Sequence, residues 1–340
     1  MSTEIPDRSQ TPPTREVERS LPPQPDAGQK ALAPAIWGRI RQNVLDLELQ
    51  GEDGLAELCS LLKNHSDTRV RCLAARSLRN IKNTRARIAL SQAARFDSDF
   101  QVRSFAIEAL GTRSDSTSNL LQLLSEHPDE RCRLLSASAL NTDRPDVLPS
   151  ILLERLLHEP SGAVLPVICE ALTRHADNET CRMLKTQLSV AEWPRRRYVI
   201  AILGELGDRN SAEGLLHRLK APVNGPEKHL LLDALGKCDH PSIYPVLKAN
   251  FHSHPQDPVI VSTTLRGLAR HPASSGRTFV MNIASGTDQL ESTRRYALEA
   301  LASTGDPELE FFFREVLATN PSRDIQESAQ RFLDSLSDSR

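Results

Sequence analysis

A leucine returns along this 340-residue chain nine times, as Leu78, Leu110, Leu140, Leu172, Leu206, Leu235, Leu268, Leu301 and Leu333, at spacings of 32, 30, 32, 34, 29, 33, 33 and 32 residues. Self-similarity at a period near 32 marks stacked supersecondary units, none of which buries its apolar face alone. Such an array grows by adding copies, so its length does not require two or three separate cores. One elongated domain is expected.

Each copy carries two apolar stripes. The first is anchored at Leu61, Ala93, Leu123, Leu156, Leu188, Leu219, Phe251, Ile283 and Val316. The second holds the recurring leucine, with a small residue before it in most copies (Ala109, Ala139, Ala171, Ala234, Gly267, Ala300). Apolar residues four and eight positions earlier, such as Ala74 and Val70 or Ala106 and Val102, place the stripe on one helical face. Small side chains on it predict close helix approach. Pro128, Pro194, Pro226 and Pro258 are read as opening second helices, and Gly111, Gly207 and Gly236 as left-handed caps.

Outside the repeats, residues 1–33 hold Pro6, Pro12, Pro13, Pro22, Pro23 and Pro25 among polar residues, the composition of a disordered tail. Residues 34–51 place Ile36, Trp37, Ile40, Val44 and Leu47 on one face and predict an N-terminal capping helix; the array then runs over 52–340. Forty-two basic against forty-four acidic residues give a charge of −2, too little for a general attraction to nucleic acid or anionic lipid. Cys59, Cys72, Cys132, Cys169, Cys181 and Cys238 form no C-x-x-C motif, which predicts reduced thiols in a cytoplasmic setting. No run of eighteen apolar residues occurs and the start MSTEIPDRSQTPP lacks a leader pattern, so neither membrane nor export is expected.

The second-helix starts DTRVRCLAARSL (67–78), DFQVRSFAIEAL (99–110) and DERCRLLSASAL (129–140) resemble HEAT repeats, in the short form named after phycobilisome chromophore lyases. The resemblance spans about residues 52 to 338, strongest in the first three copies. It implies an all-α fold, a right-handed α-solenoid of about nine helix-turn-helix units, with first helices convex and second helices concave. It does not imply one activity, because scaffolds, lyases, hydroxylases and DNA-repair enzymes share this build.

Asp67 with Arg71, Asp99 with Arg103 and Asp129 with Arg133 form the most regular charged pattern. An acid at a helix start complements the dipole, and the arginine four residues on pairs with it or with the next repeat's acid. At the same positions repeats four to seven show Ser161 and Leu165, Arg195 and Val199, Asn224 and Lys228, Asp257 and Val261. Their second helices are more apolar, as a partner groove or a tighter core would be. Trp193, Arg195, Arg196, Arg197 and Tyr198 make the sharpest local departure and are the expected partner-binding residues, of types enriched at interaction hot spots.

His252, His254 and Asp257 with Cys238 and His240 are the one ligand-like group, but an H-x-H on a loop rarely converges unaided, and no metal or cofactor is expected. HEAT hydroxylases that bind iron use repeated His-Glu pairs, and this chain has only His158-Glu159. No G-x-S-x-G, phosphate loop or H-E-x-x-H occurs, and no catalytic residue is assigned. The reading is a non-enzymatic scaffold that binds a protein partner on the concave face. Resemblance alone supports two alternatives, a lyase or chaperone-like factor for a bilin or similar group and a nucleic-acid-binding repair protein. Oligomeric state is left open.

Overall fold

The computed structural model describes residues 34–271, 274–320 and 322–338; the tail expected over 1–33 lies outside them. Among the described residues every regular element is helical. Helix α1 (Pro34–Leu49) comes first, and nine hairpins follow. They are α2 (Leu55–Asn64) with α3 (Thr68–Leu78), α4 (Thr84–Phe96) with α5 (Phe100–Gly111), and α6 (Thr117–Glu126) with α7 (Glu130–Leu140). Next stand α8 (Pro149–His158) with α9 (Val164–His175), α10 (Asn178–Val190) with α11 (Trp193–Leu206), and α12 (Arg209–Lys220) with α13 (Gly225–Leu235). The last three are α14 (Ile243–Ser253) with α15 (Pro258–Arg270), α16 (Ser274–Ser285) with α17 (Glu291–Ala302), and α18 (Glu310–Thr319) with α19 (Arg323–Asp338).

Second helices stack in one continuous layer, α3 on α5, α5 on α7 and so on to α17 on α19, and first helices pack against the outside of their own partners. Helix α1 joins this layer by packing on α3. The core runs between the two layers along the whole array as one connected apolar cluster. This is the architecture of a HEAT-like α-solenoid, and it follows from the two stripes: each helix has one apolar face, and only a stack covers all of them.

Seven of the nine leucines read from the sequence lie in the core with no exposed surface, but Leu206 and Leu333 are only partly buried. Leu333 is in the last helix, which has no successor. Leu206 reflects a register error. The buried leucine of α11 is Leu203, three residues earlier, and with Leu203 in place the spacing tightens to between 30 and 33 residues throughout. Backbone contacts confirm this register. A Cβ added to Gly204 would lie 2.8 Å from the Cα of Ala234, and one on Gly236 would lie 2.4 Å from the Cα of Gly267. In both pairs, and in Gly111 against Ala139, the residue after one leucine meets the residue before the next.

Those contacts also correct the reading of the glycines. Gly207 is a left-handed cap with φ of 62°, whereas Gly111 ends α5 in helical conformation and Gly236 has φ of −62°. Close approach, not a turn, requires Gly236. Among the prolines, Pro258, Pro226 and Pro194 stand in first turns, where the missing N–H costs nothing. Pro128 precedes the N-cap Asp129 and lies outside α7. Side chains of Asp67, Asn83, Asp99, Asp129, Asp177, Asp208, Asn224 and Asp257 accept hydrogen bonds from first-turn amides, satisfying donors the helix leaves unpaired.

Candidate functional site

The charged pattern of the first repeats is an inter-repeat ladder. Arg71 grips Asp97 through two hydrogen bonds of 2.8 and 2.9 Å, and its remaining nitrogen donates to the carbonyls of His65 and Ser66. Arg103 donates once to Asp129, at 2.9 Å, and to the carbonyls of Asp97 and Ser98, while its Nε turns to the Cys132 sulfur at 3.4 Å. Arg133 bonds both oxygens of Glu159 and the carbonyls of His127 and Pro128. Each guanidinium therefore closes its own hairpin turn and clasps an acid of the next repeat, Arg71 and Arg133 in the bidentate geometry that suits arginine.

Burial is deep enough to make these pairs structural. Glu159 is fully buried, held by Arg133, by Arg155 at 2.9 Å and by the Ser161 amide. Burial would raise its carboxyl, but the Arg133 hydrogen bond and the other donors prevail and hold it below the usual range. Asp129 is pushed to about 2 against the effect of burial by Arg131 and Arg103.

Seven residues before each leucine of the series, with Leu203 in place of Leu206, stand Arg71, Arg103, Arg133, Leu165, Arg196, Lys228, Val261, Arg294 and Gln326. The ladder thus lapses at Leu165 but returns at Arg196. Its Nη1 lies 3.1 Å from Glu227, which also receives Arg218 at 2.7 Å, and two further nitrogens donate to the Ala191 carbonyl. The sequence reading put Arg195 and Val199 at these positions; with N-cap Glu192 the pair is Glu192 and Arg196, at the spacing of Asp67 and Arg71.

This changes the five residues expected to bind a partner. Arg196 is committed to Glu227, and Arg195 reaches back 2.6 Å to the carbonyl of Glu159. Both bridge repeats, because buried carboxylates and orphan carbonyls there need donors. Trp193 is half-buried against the core. Arg197 is exposed, with its guanidinium 4.6 Å from the Tyr198 ring centre and 2.6 Å from the Tyr198 hydroxyl. The cluster's accessible part is Arg197 and Tyr198, with Trp193 one turn away.

The apolar excess of repeats four to seven is core. Leu165, Ile168, Val199, Ile200, Leu231, Leu232, Ile260 and Val261 are all buried, so these helices present no apolar groove, only an isolated Val259 at 47% exposure.

A larger concavity lies elsewhere on the same layer. A groove of about 980 Å³ runs across α1, α3 and α5 and is lined by Trp37, Arg41, Arg69, Arg76, Arg79 and Phe105 together with Glu48 and Glu108. Arg69 stacks 4.8 Å from the Trp37 ring centre, and Arg76 lies 5.7 Å from that of Phe105. Glu48 is occupied by Ser77 and Asn80 at 2.7 Å each. Sequence reading missed these residues because they come from three helices about a repeat apart; the available signal was the pairing of arginines with aromatics in the first second helices.

The ligand-like histidines do not converge. His252 packs edge-on against Phe251 and Phe279, His254 contacts Lys228 and the Asn250 carbonyl, and His240 accepts from the Ser242 amide. Cys238 is buried, its thiol pushed up to about 12 by desolvation. His158 is exposed while its neighbour Glu159 is locked in the ladder, so the His-Glu pair presents no shared ligand site. Among the described residues no group of three or more His, Cys, Asp and Glu side chains is placed to hold a metal ion. Burial raises the Cys72 thiol in the groove to about 11, away from thiolate chemistry. All six cysteines are free, and no helix among the described residues is long and apolar enough to cross a membrane.

Residues 55–141 match the family model for HEAT repeats, and that stretch is the three hairpins α2 to α7 that carry the unbroken ladder. These hairpins are similar to HEAT repeats, and the six that follow continue the same stack. Comparison with curated proteins gives no match. Among solved structures, human deoxyhypusine hydroxylase in complex with glycerol is similar at 16% identity and a TM-score of 0.27, covering 90% of this chain and 100% of that one. The complex of CpcE and CpcF of phycocyanin lyase from Nostoc shows 16% identity and a TM-score of 0.26, covering 93% and 99%. The Escherichia coli protein YibA shows 16% and 0.31, covering 90% and 99%.

Proposed function

We propose that the chain is a non-enzymatic interaction scaffold of a cytoplasmic, thiol-reducing compartment, binding a protein partner on its second-helix face. The observation that carries this reading is a division of labour among arginines. Those at the ladder position in α3, α7 and α11 point into bonds between repeats, while Arg69 and Arg197, outside that position, lie exposed beside aromatic rings. Exposed arginine with tyrosine or tryptophan is the side-chain chemistry of interface anchors.

The middle anchor is Arg197 with Tyr198 and Trp193, supported by Arg195 and Arg196, which fix the start of α11 through Glu159 and Glu227. Helix α1 acts as the N-terminal cap of the array, and the Pro-rich segment before it as a tether. The test is a W193A/R197A/Y198A variant of the full chain, compared with the parent for the proteins each retains from native-cell extract. The expected outcome is unchanged helical content with loss of a partner that the parent retains. Retention of the same partners by a folded variant overturns the site.

A further inference from the structure

We propose that the N-terminal groove across α1, α3 and α5 is a second binding surface, and that its occupant is an acidic, aromatic-bearing segment of a partner protein. This deepens the scaffold reading and rests on it, but involves none of the α11 residues.

The argument is one of charge complementarity in a formed concavity. Four arginines line the groove, Arg41, Arg69, Arg76 and Arg79, all of them exposed. Of these, Arg69 is paired with Asp67 at 2.7 Å. Arg41, Arg76 and Arg79 have no carboxylate within ion-pair distance among the described residues. Of the two acids in the groove, Glu48 accepts from Ser77 and Asn80 and Glu108 from Ser104 at 3.3 Å; neither is ion-paired with these three arginines, and four guanidinium groups outnumber the two carboxylates. A cationic surface therefore stands on a chain whose overall charge is −2.

Two of the four arginines are also held in place. Arg69 lies over Trp37, and Arg76 beside Phe105. A guanidinium stacked on a ring loses less freedom when it binds a carboxylate in its fork. Trp37 and Phe105 are half-buried and keep an edge in the groove, giving an apolar side chain of the occupant a surface beside its acids. The groove thus reads an alternation of carboxylates and rings. A nucleic acid fits less well, because the chain as a whole, with a net charge of −2, lacks the positive field that draws polyphosphates.

The experiment uses the full chain and a fluorescein-labelled peptide of glutamates flanking phenylalanines, read by anisotropy. Two control probes are the same peptide with lysine for each glutamate and a single-stranded oligothymidylate. The expected result is saturable binding of the acidic peptide that weakens as salt rises from about 50 to about 200 mM. An R41E/R76E/R79E variant with unchanged helical content should bind it roughly tenfold or more weakly, and the W193A/R197A/Y198A variant should bind as the parent does. No binding of the acidic peptide, equal binding of the lysine peptide, tighter binding of the oligothymidylate, or indifference to the charge reversal each overturns the proposal. Retained binding by the α11 variant also separates the two surfaces, since loss of the α11 partner site leaves this measurement unchanged.

Discussion

Repeats one to three and repeats four to seven are built to the same plan and held by different forces. In the first group each second helix clasps the next repeat through an arginine and an acid, Arg71 to Asp97, Arg103 to Asp129 and, most deeply buried, Arg133 to Glu159. In the second the clasp survives once, at Arg196 and Glu227, and the other ladder positions hold Leu165, Lys228 and Val261. Apolar packing takes over there, with close approaches of Gly204 to Ala234 and of Gly236 to Gly267. Ladder and close packing are alternative solutions to the same problem. A guanidinium fixes register by direction, whereas a glycine against a backbone fixes it by shape. Surface chemistry then varies independently of either.

The largest effect is expected at the ladder's most buried acid. Glu159→Ala leaves Arg133 and Arg155 without their carboxylate and should cost about 3–5 kcal/mol, read as a shift of the denaturant midpoint. A shift below about 1 kcal/mol would mean that the first group is held by packing as the second is. Next comes the glycine contact. Gly236→Ala drives a methyl toward Gly267 and should destabilise by about 1–3 kcal/mol, whereas Gly38→Ala, in open space on α1, should be neutral or stabilising by up to about 1 kcal/mol. Equal responses of the two glycines would remove the close approach from the account.

Acid should act mainly through the ladder. The folded-state carboxyls of Glu159, Asp129 and Glu227 are lowered, so their contribution is fully present above the unfolded values near about 4. It is lost as pH falls through the folded ones, down to about 2 for Asp129. Melting midpoints taken at falling pH should drop across that window, and drop less steeply in Glu159→Gln. A parallel fall in parent and variant contradicts this. Smaller still is the cap of repeat seven: Asp257→Ala removes a side chain that accepts from the amides of Val259 and Ile260 and should cost about 1 kcal/mol by the same denaturation measurement.

The fold was legible because a solenoid writes its packing into the chain once per repeat, and eight of nine registers could be counted from leucines. The fifth could not. Leu203 and Leu206 lie three residues apart on one helical face, and both are apolar. Their burial and the contact of Gly204 with Ala234 distinguish them, and both appear only once the repeats have stacked. That slip of three residues made Arg196 look like part of a surface cluster. The N-terminal groove was hidden for another reason: Trp37, Arg69, Arg76 and Phe105 approach one another only after three helices have stacked. Position within a repeat is readable from sequence, but proximity between exposed residues of neighbouring repeats is not.

Adjacent residues of α11 therefore test the central claim, that the ladder arginine holds the stack while its exposed neighbour does not. Arg196→Ala and Arg197→Ala are compared by denaturant unfolding under identical conditions. The account predicts a loss of about 2 kcal/mol for Arg196→Ala, which leaves buried Glu227 with Arg218 alone, and a change within about 0.5 kcal/mol for Arg197→Ala. Equal losses, or a larger loss at Arg197, would contradict it.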